Sequence, residues 1–237
     1  MSTYVLVHGA WHGAWCWDKV APLLRAGGHT VLIPDLPGHG NDPTPVEQVT
    51  LDAYANRVAE YIDSAAEPVI LVGHSMGGIV VTQAAELRSD AVATLVYLTG
   101  FLPGNGESLL DIAHDDPGTL VLPNLIPSED GVSATVAPDY LKPAFYADCS
   151  DVDVAWATER LVPQALAPLA TPVSTTEAGW GSVPRIYFEC TEDQAISITR
   201  QREMVGRHPV ESVVTFDTSH SPFLSQPAAL ADALLAI

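Results

Sequence analysis

Apolar runs and amphipathic stretches alternate along the chain and set out its elements before any single residue is considered. Residues 4–7 form a short apolar run that ends at His8-Gly9 and predicts a strand. Apolar residues then recur at helical spacing over 17–24 until Gly27-Gly28 stops them, and residues 30–33 return to strand character. Pro34-Asp35-Leu36-Pro37-Gly38-His39-Gly40 reads as a loop, after which Leu51, Tyr54, Val58 and Ile62 share one helical face. The run from Val69 to Val72 predicts a buried strand, and the apolar stretch continuing to Ala85 predicts a buried helix. Residues 92–98, 185–189 and 212–216 supply three more strands. Strands alternating with helices predict an α/β protein with a mostly parallel sheet of about six strands, flanked by helices. Ligands are then expected at the carboxyl ends of the strands.

The regularity lapses between residues 103 and 184, where Pro, Asp and short apolar pieces surround one helix-like segment at 151–161. Residues 1–237 are therefore expected to form a single domain, with 103–184 as an inserted lid above the strand ends. In the regular part, Gly73-His74-Ser75-Met76-Gly77 joins strand to helix. Glycine on each side of the serine permits a turn so tight that a Cβ would meet the neighbouring strand or helix. The pattern G-x-S-x-G in this setting is the nucleophile elbow of an α/β-hydrolase fold, which lifts the serine oxygen out of the sheet. The first N–H groups of the helix then face the reaction centre and favour negative charge there.

A chain of 237 residues suffices for one such domain with a sizeable core. Its formal net charge of −19 argues against nucleic acid and against an anionic membrane surface, and is read as a solvated exterior. Cys16, Cys149 and Cys190 are odd in number and widely spaced, which suggests small core or lid residues rather than a disulfide framework or zinc site. No metal-ligand spacing or phosphate-binding glycine loop occurs, so neither metal nor cofactor is expected. The N-terminus lacks the basic segment of a signal peptide and no apolar stretch could span a bilayer. A cytoplasmic protein, monomeric or homodimeric, is expected.

A serine hydroxyl attacks at neutral pH only when a base takes its proton, and histidine has the suitable pKa. His220, just after the last predicted strand, occupies the place of the base in the chain order serine, acid, histidine. His8, His12 and His74 lie near the elbow on segments that supply backbone and are read as satisfied structural histidines. His29 and His208 are read as surface turn residues. Asp193 follows the 185–189 strand by a short turn and is preferred as the acid. Asp217, three residues before His220, is the alternative, and Glu189 and Glu192 are expected to be solvated. An oxyanion hole needs two N–H groups, for which Met76 and Ala10 are the candidates.

Four segments carry a resemblance: Val7-His8-Gly9-Ala10-Trp11-His12-Gly13-Ala14-Trp15, Gly73-His74-Ser75-Met76-Gly77-Gly78, Phe145-Tyr146-Ala147-Asp148-Cys149 and Gly179-Trp180-Gly181-Ser182-Val183-Pro184. Together they resemble the plant methylesterase and hydroxynitrile lyase family of α/β-hydrolases and its bacterial esterase relatives, along nearly the whole chain. The resemblance implies a cofactor-free esterase with the triad Ser75, Asp193 and His220, and a lid closing a small apolar pocket. Many of the lyases carry threonine after the oxyanion-loop histidine and lysine after the catalytic histidine. Gly9 and Ser221 stand at those positions here, so ester hydrolysis is expected and cyanohydrin cleavage is not.

The expected partner is a small neutral ester, short-chain or aryl, cleaved through an acyl-enzyme. A ligand receptor built on the same fold is the alternative from another class, and lactone or C–C bond cleavage would use the same parts. Gly9 and Trp11 beside the oxyanion loop, Leu141, Phe145 and Trp156 in the lid, and Ala195 and Ile196 after the acid are the candidate pocket lining.

Overall fold

Nine strands form: β1 (Thr3–Val7), β2 (Thr30–Leu32), β3 (Val69–His74), β4 (Val92–Leu98), β5 (Leu125–Pro127), β6 (Ser133–Val136), β7 (Gln164–Ala165), β8 (Arg185–Cys190) and β9 (Ser212–Phe216). They belong to a computed structural model that describes all residues, Met1–Ile237. Six of them make one parallel sheet in the order β2-β1-β3-β4-β8-β9. The chain leaves β1 toward one edge and returns to add β3 on the other side of β1, so a topological switch point lies between these two strands. Their register pairs Val7 with Gly73. The loop after β1 and the turn after β3 are thereby forced to lie side by side.

The helices are α1 (Ala21–Ala26), α2 (Leu51–Asp63), α3 (Gly77–Leu87), α4 (Leu109–Ala113), α5 (Pro138–Phe145), α6 (Asp151–Thr158), α7 (Ala167–Ala170), α8 (Ile198–Arg207), α9 (Pro222–Ser225) and α10 (Pro227–Leu235). The Thr50 side chain accepts from Ala53 N–H at 3.0 Å and caps α2, which buries Leu51, Tyr54, Val58 and Ile62 as its spacing predicts. The helix expected over 17–24 is instead a 3₁₀ turn at Ala14–Trp17 followed by α1. Pro22 fits the break, because the first turn of a helix is where a proline ring costs least. No helix is long and apolar enough to cross a membrane.

Every residue of β3 is buried, as are nine consecutive residues of α3 from Gly77 to Ala85. Their approach is so close that a Cβ on Gly73 would lie 2.6 Å from the Gly77 carbonyl oxygen, and one on Gly77 would lie 2.9 Å from that of Val7. The segment 103–184 contains α4–α7 and a separate three-stranded antiparallel sheet, β5-β6-β7. This small sheet is a correction to the sequence reading, which expected only one helix there. Its strands are two to four residues long, too short for a period of two to register. All three cysteines are buried free thiols.

The central sheet is the source of stability, so truncation at its centre is expected to act very differently from truncation on the insertion. Leu71→Ala removes a fully buried side chain from β3 and should lower unfolding stability by about 2–5 kcal/mol. Val152→Ala, at a position 79% exposed, should change it by less than about 0.5 kcal/mol. Urea denaturation of both variants checks the contrast.

Candidate active site

Ser75 sits at the turn between β3 and α3 with φ of 54°, a left-handed conformation that costs a non-glycine residue about 1–3 kcal/mol. Three backbone bonds hold it there. Its N–H donates to Leu98 O at the end of β4, and its carbonyl accepts from Gly78 N–H at 2.9 Å and Phe101 N–H at 3.0 Å. The adjacent N–H of Met76 and the N–H of Ala10, across the switch point, donate to no group of the chain. Both residues and Ser75 border one cavity.

Asp193 and His220 meet from different strands. The turn after β8 buries Asp193, and the loop after β9 buries His220, whose Nδ1–H donates to Asp193 Oδ2 at 2.7 Å. The other carboxylate oxygen accepts from the N–H groups of Ala195 and Ile196 at 2.7 and 2.9 Å. Thr99 completes the set by donating its hydroxyl to Oδ2 at 2.5 Å. Sequence reasoning missed Thr99, a buried β-branched residue just past β4 held at φ of 35°. Nothing in its local sequence announces this contact, which arises only when β4 and β8 pair.

Asp217 is exposed and accepts from the Thr191 hydroxyl rather than from His220. Glu189, expected to be solvated, is buried beside Arg202 and Thr215, and the Arg202 guanidinium holds its carboxyl below the usual range. Ser75 Oγ makes no hydrogen bond to His220 in this arrangement. Such contacts commonly tighten only around bound substrate.

The remaining central histidines form an ordered network. Leu36 N–H donates to His8 Nε2, so Nδ1 carries the proton and donates to Gly9 O at 2.8 Å. The Tyr146 hydroxyl donates to His12 Nε2, and Nδ1–H of that ring donates to Ala10 O at 2.7 Å. His39 Nδ1–H donates to His12 O, while its Nε2 accepts from the Tyr54 hydroxyl, which in turn accepts from Gln164. Three carbonyls of the loop after β1 are thus held by buried imidazoles. His74 departs from the satisfied state expected of it: its Nε2 bonds His220 O at 2.9 Å, but its buried Nδ1 has no partner.

The cavity spans about 460 Å³, part of it open to solvent, and is bordered by sixteen residues, none of them ionisable. Trp11, Phe145, Ala195 and Ile196 line it as the sequence suggests. Gly9, Leu141 and Trp156 do not, which corrects their assignment. Gly9 backs onto the nucleophile, where an added Cβ would lie 2.8 Å from Ser75 Cβ. Leu141 faces a neighbouring cavity, and Trp156 packs edge-on against Trp15 with the Arg160 guanidinium over its ring. The insertion supplies lining that sequence reasoning missed, including Leu109, Leu110 and Ala113 of the five-residue α4, which is too short to show a helical period. Phe101 and Leu169 were missed for the same lack of pattern.

The parallel sheet and the serine elbow at its switch point define an α/β-hydrolase. A sequence model of the Alpha/beta hydrolase family matches residues 4–233, and the chain belongs to that family. Methylesterase 9 of Arabidopsis thaliana is 34% identical, the alignment covering 100% of this chain and 98% of that protein. An alpha-hydroxynitrile lyase of the same plant is 35% identical over 99% of this chain and 96% of its own length. Among solved structures, a pyrethroid hydrolase from Sphingobium faniae JZ-2 superposes with a TM-score of 0.90 at 30% identity, covering 99% of this chain and 96% of that one.

Burial pushes the imidazole of His12 down to about 3 and that of His39 down to about 4. The unfolded chain takes up protons below about pH 6.5 that these folded rings refuse, so the stability they contribute is complete above pH 6.5. It is lost progressively as the pH falls from there toward 4 and 3. Each ring should lower stability by about 2 kcal/mol at pH 5 relative to pH 8. Urea midpoints measured at both pH values should show this loss, and His39→Gln should reduce it by about one ring's share. An unchanged pH dependence in that variant would mean that His39 is not held neutral.

Proposed function

We propose that the protein is a serine-dependent carboxylic ester hydrolase for small neutral esters. The observation that carries this is the convergence on one apolar cavity of Ser75 with two N–H groups, those of Ala10 and Met76, that nothing else in the chain occupies. Ser75 is the nucleophile, His220 the general base and then acid, and Asp193 the group that fixes the imidazole. With Nδ1–H bonded to Asp193, Nε2 of the neutral His220 ring is the nitrogen left to accept the serine proton. Oγ attacks the ester carbonyl carbon as Nε2 takes its proton, and the carbonyl oxygen becomes an anion held by Ala10 and Met76 N–H. The tetrahedral species collapses to the acyl-enzyme as the alcohol leaves with the proton from Nε2. Water, deprotonated by His220, attacks next and releases the acid. Relatives named as methylesterases and a pyrethroid hydrolase support hydrolysis as the reaction class.

The absence of ionisable lining favours neutral acyl and alkyl groups, and the share of the wall supplied by 103–184 fits a lid that excludes water. Departure of cyanide would call for a cation beside the leaving group. None lines the cavity, and at position 221 there is a fully buried serine.

Ser75→Ala should leave a folded protein whose kcat/KM for p-nitrophenyl butyrate is lower by roughly four to six orders of magnitude. A fluorophosphonate should label Ser75 in the parent protein. Labelling elsewhere would refute the assignment of the nucleophile, and ligand binding by a parent protein that turns over no ester would favour a receptor.

Asp193→Asn should reduce kcat by roughly four orders of magnitude, because a carboxamide cannot hold the required tautomer or offset the imidazolium charge. Asp217→Asn, at an exposed position, should stay within about twofold of the parent. Steady-state kinetics of the pair ranks the two carboxylates, and the reverse order would transfer the role to Asp217.

A further inference from the structure

A second cavity shares one bordering residue with the first. It is a half-open pocket of about 420 Å³, part of it open to solvent, bordered by Thr135, Val136, Leu141, Leu161 and Val162 among others, with no ionisable group in its wall. Trp11 borders both cavities. Three elements show that the two spaces are immediate neighbours. On α5, Phe145 lines the first and Leu141, one turn earlier, lines the second. In the small sheet, Leu125 lines the first and its direct cross-strand partner Val136 lines the second. The third is the loop after β1, where Ala10 belongs to the first cavity and Trp11 to both.

Trp11 is held in this place against its own backbone preference. Its φ is 62°, a region that bulky residues rarely occupy and that glycine enters freely. The surroundings fix it there: the indole Nε1–H donates to Ala134 O at 2.9 Å, the ring packs at 5.6 Å from Phe145, and its carbonyl accepts from Val162 N–H. Such strain persists only where the surrounding structure over-determines it, as these contacts do.

We propose that Trp11 sets the chain-length selectivity of the enzyme by walling off an apolar chamber that would otherwise take the far end of a longer ester. This rests on the esterase reading above and extends it to the size of the substrate. With the wall present, an acyl or alkyl chain fills the first cavity and stops. With the wall removed, the chain runs on between Phe145 and Leu125 into the space bordered by Leu141 and Val136. Each methylene seated there should raise kcat/KM about fourfold until the chamber is full. Trp11→Gly is the natural test, since glycine suits φ of 62° and removes the whole side chain.

The experiment measures kcat/KM for p-nitrophenyl esters from acetate to palmitate, and for acetates of alkanols of matching length, so that either half of the ester can reveal the chamber. The parent protein is expected to peak at short chains in both series. Trp11→Gly should move the peak to medium chains in at least one series, with the ratio of octanoate-length to acetate-length substrates rising at least tenfold. Leu161→Trp, which adds bulk to the wall of the chamber, should cancel that gain when combined with Trp11→Gly. Trp11→Phe keeps an aromatic wall without the Nε1 bond and should retain the short-chain peak. If Trp11→Gly does not fold by circular dichroism, Trp11→Leu opens part of the same wall and should move the peak in the same direction.

A profile that stays at short chains in a folded Trp11→Gly or Trp11→Leu would overturn the proposal. So would a shift in Trp11→Phe as large as that in Trp11→Gly, or a gain that survives Leu161→Trp. Failure of the parent protein to hydrolyse any ester in a Ser75-dependent manner would instead refute the underlying esterase reading, so the two failures are distinguishable.

Discussion

Hydrogen bonding from three neutral imidazoles to the loop after β1 is the interaction on which the site depends. A peptide unit cannot turn its carbonyl one way without turning the next N–H the other. By tying down the carbonyls of Gly9, Ala10 and His12, the rings of His8, His12 and His39 fix the orientation of the peptide units around the Ala10 N–H. Any one of these rings, if protonated, would lose the acceptor nitrogen that receives Leu36 N–H, Tyr146 OH or Tyr54 OH. Burial keeps them neutral, and neutrality keeps the loop in one conformation. The register that pairs Val7 with Gly73 then sets this loop beside the serine.

The sheet was legible because its information is local. The six runs that become β1–β4, β8 and β9 are each apolar enough to be recognised alone, and G-x-S-x-G between a strand-like and a helix-like run reads as a strand-to-helix turn. Asp193 was legible for a similar reason, since its position one turn beyond a strand fixes the end of the sheet where it lies. The histidines of the loop were recognised as structural, but their common task was not. It is visible only once the chain brings Tyr54 and Tyr146 to them across 15 and 134 residues of sequence, and Gln164 to Tyr54 across 110.

The insertion was the least legible part. Its strands and helices are too short to carry a period, and its cavity-lining residues are simply apolar, as core residues also are. Leu141 and Phe145 are indistinguishable by chemistry and both fall on α5, yet a single helical turn sends them to different cavities. Thr99 illustrates the opposite difficulty. It looks like any polar residue after a strand, and its importance lies in completing a set of four donors around one carboxylate. Those donors supply the hydrogen bonds that a buried carboxylate requires.

The bonds that join the insertion to the sheet domain also bear on how the molecule moves. Tyr146 to His12, Gln164 to Tyr54, Trp11 to Ala134 and Val162 to Trp11 all cross that boundary at buried or half-buried groups. Swinging the insertion away as a rigid flap would strand these donors and acceptors together, at about 1–3 kcal/mol for each group left unpaired. It would also cost His12 the Tyr146 hydroxyl that orients its ring, and with it the bond that holds the Ala10 carbonyl. The insertion and the loop after β1 are therefore tied into one buried hydrogen-bonded unit, whose parts cannot separate without losing these bonds together.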